Sequence, residues 1–243
     1  MNKIYFLSLL IISCLSFNAS AQQIKIEKKE IIDSSTIPQN HYIEIQYPVL
    51  KRLDDTKIQD IINSEIEIYI KSSVDTFKNK LKDWELPTME PNMQSGFYID
   101  YDAAINKNTF SLILFIEPFF AGSAHPSHES HSMNFDLSTG KQIPFAELFD
   151  NQKKYLSEIS KFCINYLKNN KEDLAFDDDW LKAGAGPDPE NFKNFNIQPE
   201  GLTITFDPYQ VAAYAYGYQN VIIPYKEIKD IVNKEGPLKE FYK

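Results

Sequence analysis

Apolar positions along the chain recur with two different periods, and these periods mark out its elements. From Gln22 to Tyr47, Ile24 and Ile26 alternate with lysines, while Ile43, Ile45 and Tyr47 alternate with Glu44 and Gln46. That two-residue repeat belongs to half-buried strands, and Ile37-Pro38-Gln39-Asn40 breaks it into two of them. After Pro48 the period changes: Ile58, Ile62, Ile66, Ile70, Val74, Phe77 and Leu81 follow at steps of four or three. This stripe predicts a helix over about 54–82. Glu65-Ile66-Glu67-Ile68 also alternates, so a strand competes there, but the length of the stripe favours the helix. Trp84 to Ser95 is rich in turn-formers and reads as a connection.

Phe97, Ile99, Tyr101, Ala103 and Ile105 share one face, Asn106-Lys107-Asn108 turns the chain, and Phe110 to Ile116 returns as a more evenly apolar run. This is a hairpin whose second strand is central. His131 to Leu137 then leads into the turn Ser138-Thr139-Gly140-Lys141. A helix is predicted from about Asn151 with Asp150 as N-cap, its apolar face being Tyr155, Ile159, Phe162, Cys163, Tyr166 and Leu167. Lys171 to Lys193, with Asp177-Asp178-Asp179 and Gly184-Ala185-Gly186-Pro187, predicts an irregular loop. Leu202, Ile204 and Phe206 predict a strand with Thr203 and Thr205 facing outward. Val221 to Ile223 predicts another, and Tyr225 to Val232 a closing helix. The order lacks a regular strand-helix alternation, so the expected class is α+β, with helices packed on a largely antiparallel sheet. Parts 22–143 and 144–243 are expected to form one compact unit.

The N-terminus follows different rules. In MNKIYFLSLLIISCLSFNASA, Lys3 supplies a positive start, Ile4 to Phe17 an apolar stretch, and Ala19-Ser20-Ala21 a small-residue cleavage site. Residues 1–21 therefore read as a signal peptide, shorter in its apolar part than the roughly 20 residues that span a bilayer. Ile11-Ile12-Ser13-Cys14 offers an alternative, a lipobox that would leave Cys14 acylated and the protein membrane-anchored. Both readings place the protein outside the cytoplasm, in the periplasm or extracellular space. Removal of the leader leaves a single cysteine, Cys163, so the mature chain is held by its core and not by an internal disulfide.

Composition narrows the partners. The 243 residues carry 25 Lys and Arg against 34 Asp and Glu, a net charge of −9. This balance provides none of the positive footprint that nucleic-acid binding needs. No run after the leader is long and apolar enough to span a membrane.

Three of the four histidines, His125, His128 and His131, lie close together beside Glu129, a grouping that invites a transition metal. Three-residue steps on a strand alternate faces, so only His125 and His131 would point together, and Pro126 disfavours a helix. They stand as weak metal candidates; no metal or other cofactor is expected. Ser123 lacks the Gly-x-Ser-x-Gly elbow, and Asp177-Asp178-Asp179 lacks the layout of a calcium loop. The richest chemistry is tyrosine. Asp207 to Tyr225 holds Tyr209, Tyr214, Tyr216, Tyr218 and Tyr225, and Tyr214-Ala215-Tyr216 would send two rings to one face of a strand. Tyrosine anchors ligands well because its ring buries area at low entropic cost and keeps a polar tip. Tyr209, Tyr214, Tyr216 and His125 are therefore the candidate binding residues, and no catalytic residue is assigned. The same tyrosines would serve equally as core filling beside the last strands.

Phe206-Asp207-Pro208-Tyr209-Gln210-Val211-Ala212-Ala213-Tyr214-Ala215-Tyr216-Gly217 is the most distinctive string. Together with Gly122-Ser123-Ala124-His125-Pro126, Leu137-Ser138-Thr139-Gly140-Lys141 and Leu148-Phe149, it resembles an exported bacterial family. That family is related to the extracytoplasmic region of the lysozyme-sensing anti-sigma factor RsiV and to the non-catalytic N-terminal domain of the peptidoglycan deacetylase PdaC. In that family Gly-Gly-Ala-His often stands where this chain has Gly122-Ser123-Ala124-His125. The resemblance implies an exported, non-enzymatic envelope module that binds lysozyme, another basic protein or cell-wall glycan. The alternatives are a metal-dependent polysaccharide-modifying enzyme or its accessory domain, and a structural envelope lipoprotein.

Overall fold

The computed structural model describes residues 23–86, 92–152, 154–170 and 177–242. The expected leader and Cys14 lie outside them. Five strands form the first sheet in chain order: β1 (Lys25–Ser35), β2 (His41–Lys51), β3 (Ser95–Asn106), β4 (Thr109–Phe119) and β5 (Glu129–Asp136). Every neighbouring pair is antiparallel except β2 and β3, which run parallel. Parallel neighbours need a crossover, and the 28-residue helix α1 (Thr56–Asp83) supplies it, so the chain contains one strand-helix-strand unit. Asp55 starts α1 by accepting from the backbone N–H of Lys57 at 2.9 Å and of Ile58 at 3.3 Å. The predicted stripe is the buried face. Ile62, Ile66, Ile70, Phe77 and Leu81 pack on Ile43, Ile45, Phe97, Ile99, Leu112 and Leu114 from the sheet.

The second sheet contains β6 (Phe195–Gln198), β7 (Gly201–Phe206) and β8 (Gln219–Ile223), all antiparallel. Around it lie α2 (Tyr155–Asn170), α3 (Asp178–Ala185) and the short α4 (Tyr225–Ile228). Cys163, Leu167, Leu181, Ile204, Val221 and Ile223 belong to this second core. The class is α+β, with two mostly antiparallel sheets. Among the described residues no helix is long and apolar enough to cross a membrane.

Several expectations need correction. The region expected to be an irregular loop contains α3, capped by Asp177, whose carboxylate accepts from Asp179 N and Trp180 N at 2.9 and 3.0 Å. The acidic run is thus a helix start, where carboxylates oppose the positive end of the dipole. Asp150 holds a turn at Gln152 N, and α2 begins only at Tyr155. The closing helix spans just four residues. Strand β6 was not foreseen at all.

The outward placement of Thr203 and Thr205 also fails: both are buried, because their face of β7 lies toward the first sheet. Between the sheets runs a seam of polar groups. Ser111 Oγ on β4 donates to Asn134 Oδ1 on β5 at 2.6 Å and accepts from Asn196 Nδ2 and Ile197 N at 2.9 and 3.0 Å. Asn134 Nδ2 donates to the Phe195 carbonyl at 2.8 Å, and Ser132 Oγ to Asn196 Oδ1 at 3.1 Å. Buried polar atoms are tolerated only when answered in this way.

Candidate functional site

The distinctive tyrosine string leaves β7 and crosses to the loop between β4 and β5. Asp207 begins it, taking a 2.5 Å hydrogen bond from Ser130 Oγ. Burial pushes the Asp207 carboxyl above its ordinary value, against the lowering effect of that bond. Gln210 N returns to the Asp207 carbonyl at 2.9 Å and Tyr209 N donates to the Ala212 carbonyl at 3.1 Å, closing a tight turn. Tyr209 sits in it at φ 71°, a backbone region that large L-residues seldom adopt. Strain of this kind persists only where the surroundings impose it. Here α3 does so: Trp180 Nε1 donates to the Tyr209 carbonyl at 2.7 Å, and Gln210 Nε2 donates to the carbonyls of Gly184 and Asn191 at 2.9 and 3.1 Å. Gly184 permits the approach, since a Cβ there would lie 1.7 Å from the Gln210 carbonyl oxygen.

Tyr214, Ala215 and Tyr216 form a single 3-10 turn, so the expected strand-like alternation of the two rings does not occur. Instead Tyr214 packs toward the β4–β5 loop. Its ring stacks on His125 at 4.0 Å and 30°, and the Tyr209 ring lies 5.5 Å from it. His128 Nε2 is 2.7 Å from the Tyr214 hydroxyl, which also lies 3.1 Å from the Pro126 carbonyl. His128 Nδ1 faces Glu117 Oε1 at 3.0 Å. A chain of Glu117, His128 and Tyr214 thereby ties β4, its following loop and the tyrosine string together. Tyr218 reinforces the tie, with its ring 5.0 Å from Phe115 and its hydroxyl donating to the Glu129 carbonyl at 3.1 Å. The loop turns at Gly122, φ 91°, whereas Ser123 needs no left-handed backbone, which accommodates a serine there.

The outcome is a ledge of adjoining rings, Tyr209, Tyr214 and His125. Tyr209 is 54% exposed, Tyr216 beyond it is 41% exposed, and Tyr214 is half-buried as a support. Of the candidate binding residues, Tyr209, Tyr214 and His125 are in contact, while Tyr216 stands out from the following turn. The three histidines do not converge. His131 lies on the opposite face of β5, stacked on Tyr69 of α1 at 3.9 Å and 6°, and burial holds its ring below the usual histidine range. Among the described residues no grouping of three or more His, Cys, Asp or Glu is placed to hold a metal. Cys163 is fully buried, and burial pushes its thiol far up, which leaves it an inert core residue. Glu117 and Trp180, which hydrogen-bond His128 and the Tyr209 carbonyl, carry no sequence signal of their own. They come to it only through the fold.

Residues 146–226 match the family described as "Protein of unknown function (DUF3298)". The chain is 28% identical over 191 residues, 79% of its length, to the peptidoglycan-N-acetylmuramic acid deacetylase PdaC of Bacillus subtilis strain 168. It spans only 39% of that protein. Two solved structures share the fold. A DUF3298 member from Bacteroides fragilis NCTC 9343 superposes with a TM-score of 0.63 at 16% identity, over 88% of this chain and 95% of that one. A DUF3298 protein from Pseudomonas aeruginosa PAO1 gives 0.56 at 16% identity, over 86% and 95%. The chain is thus similar to PdaC along most of its length, and the tyrosines of its ledge, though not His125, fall within the segment that matches DUF3298.

Proposed function

We propose that this protein is an exported, non-enzymatic binding module of the bacterial cell envelope, and that the ledge of Tyr209, Tyr214 and His125 with Tyr216 recognises cell-wall glycan. The observation that carries this reading is the imposed exposure of Tyr209: α3 holds its backbone in a disfavoured conformation and presents its ring to solvent beside a stacked, rigid support. Flat rings with polar edges suit the apolar faces and hydroxyl rims of sugars. The similarity to a protein named as a peptidoglycan deacetylase supports the polymer as ligand; the reaction is not carried over. Sedimentation with purified peptidoglycan sacculi tests the reading. Retention of the wild type and its loss in the Tyr209→Ala/Tyr216→Ala variant are expected. Equal retention of both proteins, or none at roughly 50 μM, a concentration that captures even weak binders, overturns it.

A specific feature favours a second reading, a basic protein such as lysozyme. The face of the first sheet opposite α1 exposes Glu30, Asp100 and Asp102, with Glu44 half-buried on the same face. Among the described residues none of these carboxylates is paired with a lysine or arginine. Such a surface attracts cationic partners and does so less at high salt. Titration with lysozyme at low and high salt checks it: salt-sensitive binding that survives the loss of Tyr209 and Tyr216 supports this face. No binding at low salt removes it.

A further inference from the structure

The first sheet has one edge that the chain leaves open. Strand β1 pairs with β2 over all 11 of its residues without a bulge, and among the described residues no strand pairs with its other side. It holds neither proline nor glycine. Its outer row of backbone N–H and C=O groups is therefore a straight template for a further strand. The opposite edge of the sheet differs. Beside β5, Ser132 N already donates to Asn194 Oδ1 at 3.3 Å, and Ser130 Oγ donates to Asp207 at 2.5 Å.

Charged side chains commonly blunt such an edge, and β1 is heavily charged. Its charges, however, complement themselves. Alternation puts Ile26, Lys28, Glu30 and Ile32 on one face. Gln46 of β2 shares that face: Lys28 Nζ donates to it at 3.2 Å, and its amide donates to Glu30 at 3.4 Å. An antiparallel second copy centred on Lys29 sets Ile26 against Ile32 and Lys28 against Glu30. On the other face it sets Lys25 against Asp33. A two-fold axis makes each of these pairs occur twice. That axis also keeps faces matched, so a residue must face itself at the centre, and moving the centre by one residue sets Lys28 on Lys28 or Glu30 on Glu30. Charge thus selects a single register. Among the described residues neither Lys28 nor Glu30 has an ion-pair partner in the monomer, and Ile32 is 61% exposed. Lys29 meets its own copy at the centre, but Glu67 of α1 neutralises it at 2.6 Å.

We infer that β1 is a self-association edge: two copies of this chain pair through it, antiparallel about Lys29, and join their first sheets into one continuous sheet. Ile26 of each copy covers Ile32 of the other, and Lys28 answers Glu30. Strand β1 lies at the far edge of the sheet from β5 and from the β4–β5 loop that carries the ledge, so the dimer leaves the ledge of each copy free.

Sedimentation velocity across about 1–200 μM protein tests this. A pairing confined to one strand is a small interface, so a dimer with a dissociation constant of about 10 μM is expected, weaker at high salt. Lys28 and Glu30 are both exposed, so reversing either charge leaves the fold in place. Lys28→Glu alone and Glu30→Lys alone each turn two opposite-charge pairs into two like-charge pairs, and each should weaken the dimer at least about tenfold. Mixing the two single variants should restore association as a heterodimer, since each then supplies the charge that the other lacks. The Lys28→Glu/Glu30→Lys double variant should dimerise like wild type. A wild type that stays monomeric up to about 200 μM, well above the expected constant, overturns the inference. So does a dimer that ignores the single reversals, or one that they weaken but that neither mixing nor the double variant restores.

Discussion

At Asp207, a carboxyl is buried beside Ser130 at the point where the tyrosine string departs, and burial raises it above 3.8. A group whose folded value is raised favours folding most when protonated, so this stabilising contribution is complete below 3.8 and is lost as pH rises through the raised value. At neutral pH the ionised side chain is therefore a burden that the hydrogen bond from Ser130 only partly offsets. Asp207→Asn keeps an oxygen for that bond and removes the charge. Denaturant titrations should find the variant at least as stable as wild type at pH 7, with any advantage shrinking as pH falls toward 3.8. A wild type that stays clearly more stable throughout would contradict this. Cys163 permits a sharper measurement: its thiol should resist an aromatic disulfide reagent in the native protein and react fully once the chain is unfolded. The tyrosines were legible as a group, because five of them crowd one short segment. Which of them face outward was not legible, since Tyr214 and Tyr216 occupy a 3-10 turn and not a strand.

Among the elements, α1 and β3 could be read directly because one face of each is largely apolar and the other wetter, and β4 because it is apolar on both faces. Strand β6 escaped notice for a physical reason. Only Phe195 and Ile197 enter the core, while Asn194 and Asn196 face the polar seam, and asparagines there look like a turn. Helix α3 was hidden similarly: Gly184 and Gly186 read as breakers, yet Gly184 is where the helix end meets the Gln210 backbone. Gly184→Ala should separate these two segments. Overpacking at that contact is expected to cost about 1–3 kcal/mol, measured by chemical denaturation. It should also free the Trp180 indole from the Tyr209 carbonyl, visible as faster exchange of the indole N–H. An unchanged indole and unchanged stability would show that α3 does not hold the ledge.

For the whole molecule, the seam between the sheets decides how the two cores are held together. Asn134 accepts from Ser111, donates to the Phe195 carbonyl and lies 3.3 Å from Ile197 N. Asn134→Ala leaves the Phe195 carbonyl without its donor and the Ser111 hydroxyl without its acceptor, and should cost about 1–3 kcal/mol, because lost partners in a dry site incur the full desolvation penalty. Combined with Asn196→Ala, the loss should be clearly less than additive, since both side chains answer Ser111; strict additivity in a double-mutant cycle would deny the network. An apolar junction would accept almost any greasy counterpart, whereas this one works more like a keyed lock. A chimera that imports the Asn194–Phe206 portion from a relative must bring matching replacements for Ser111, Ser132 and Asn134, or it will join two well-made halves across a mute interface. Shuffling of these halves between lineages should therefore leave its trace in those few positions, changing as a set.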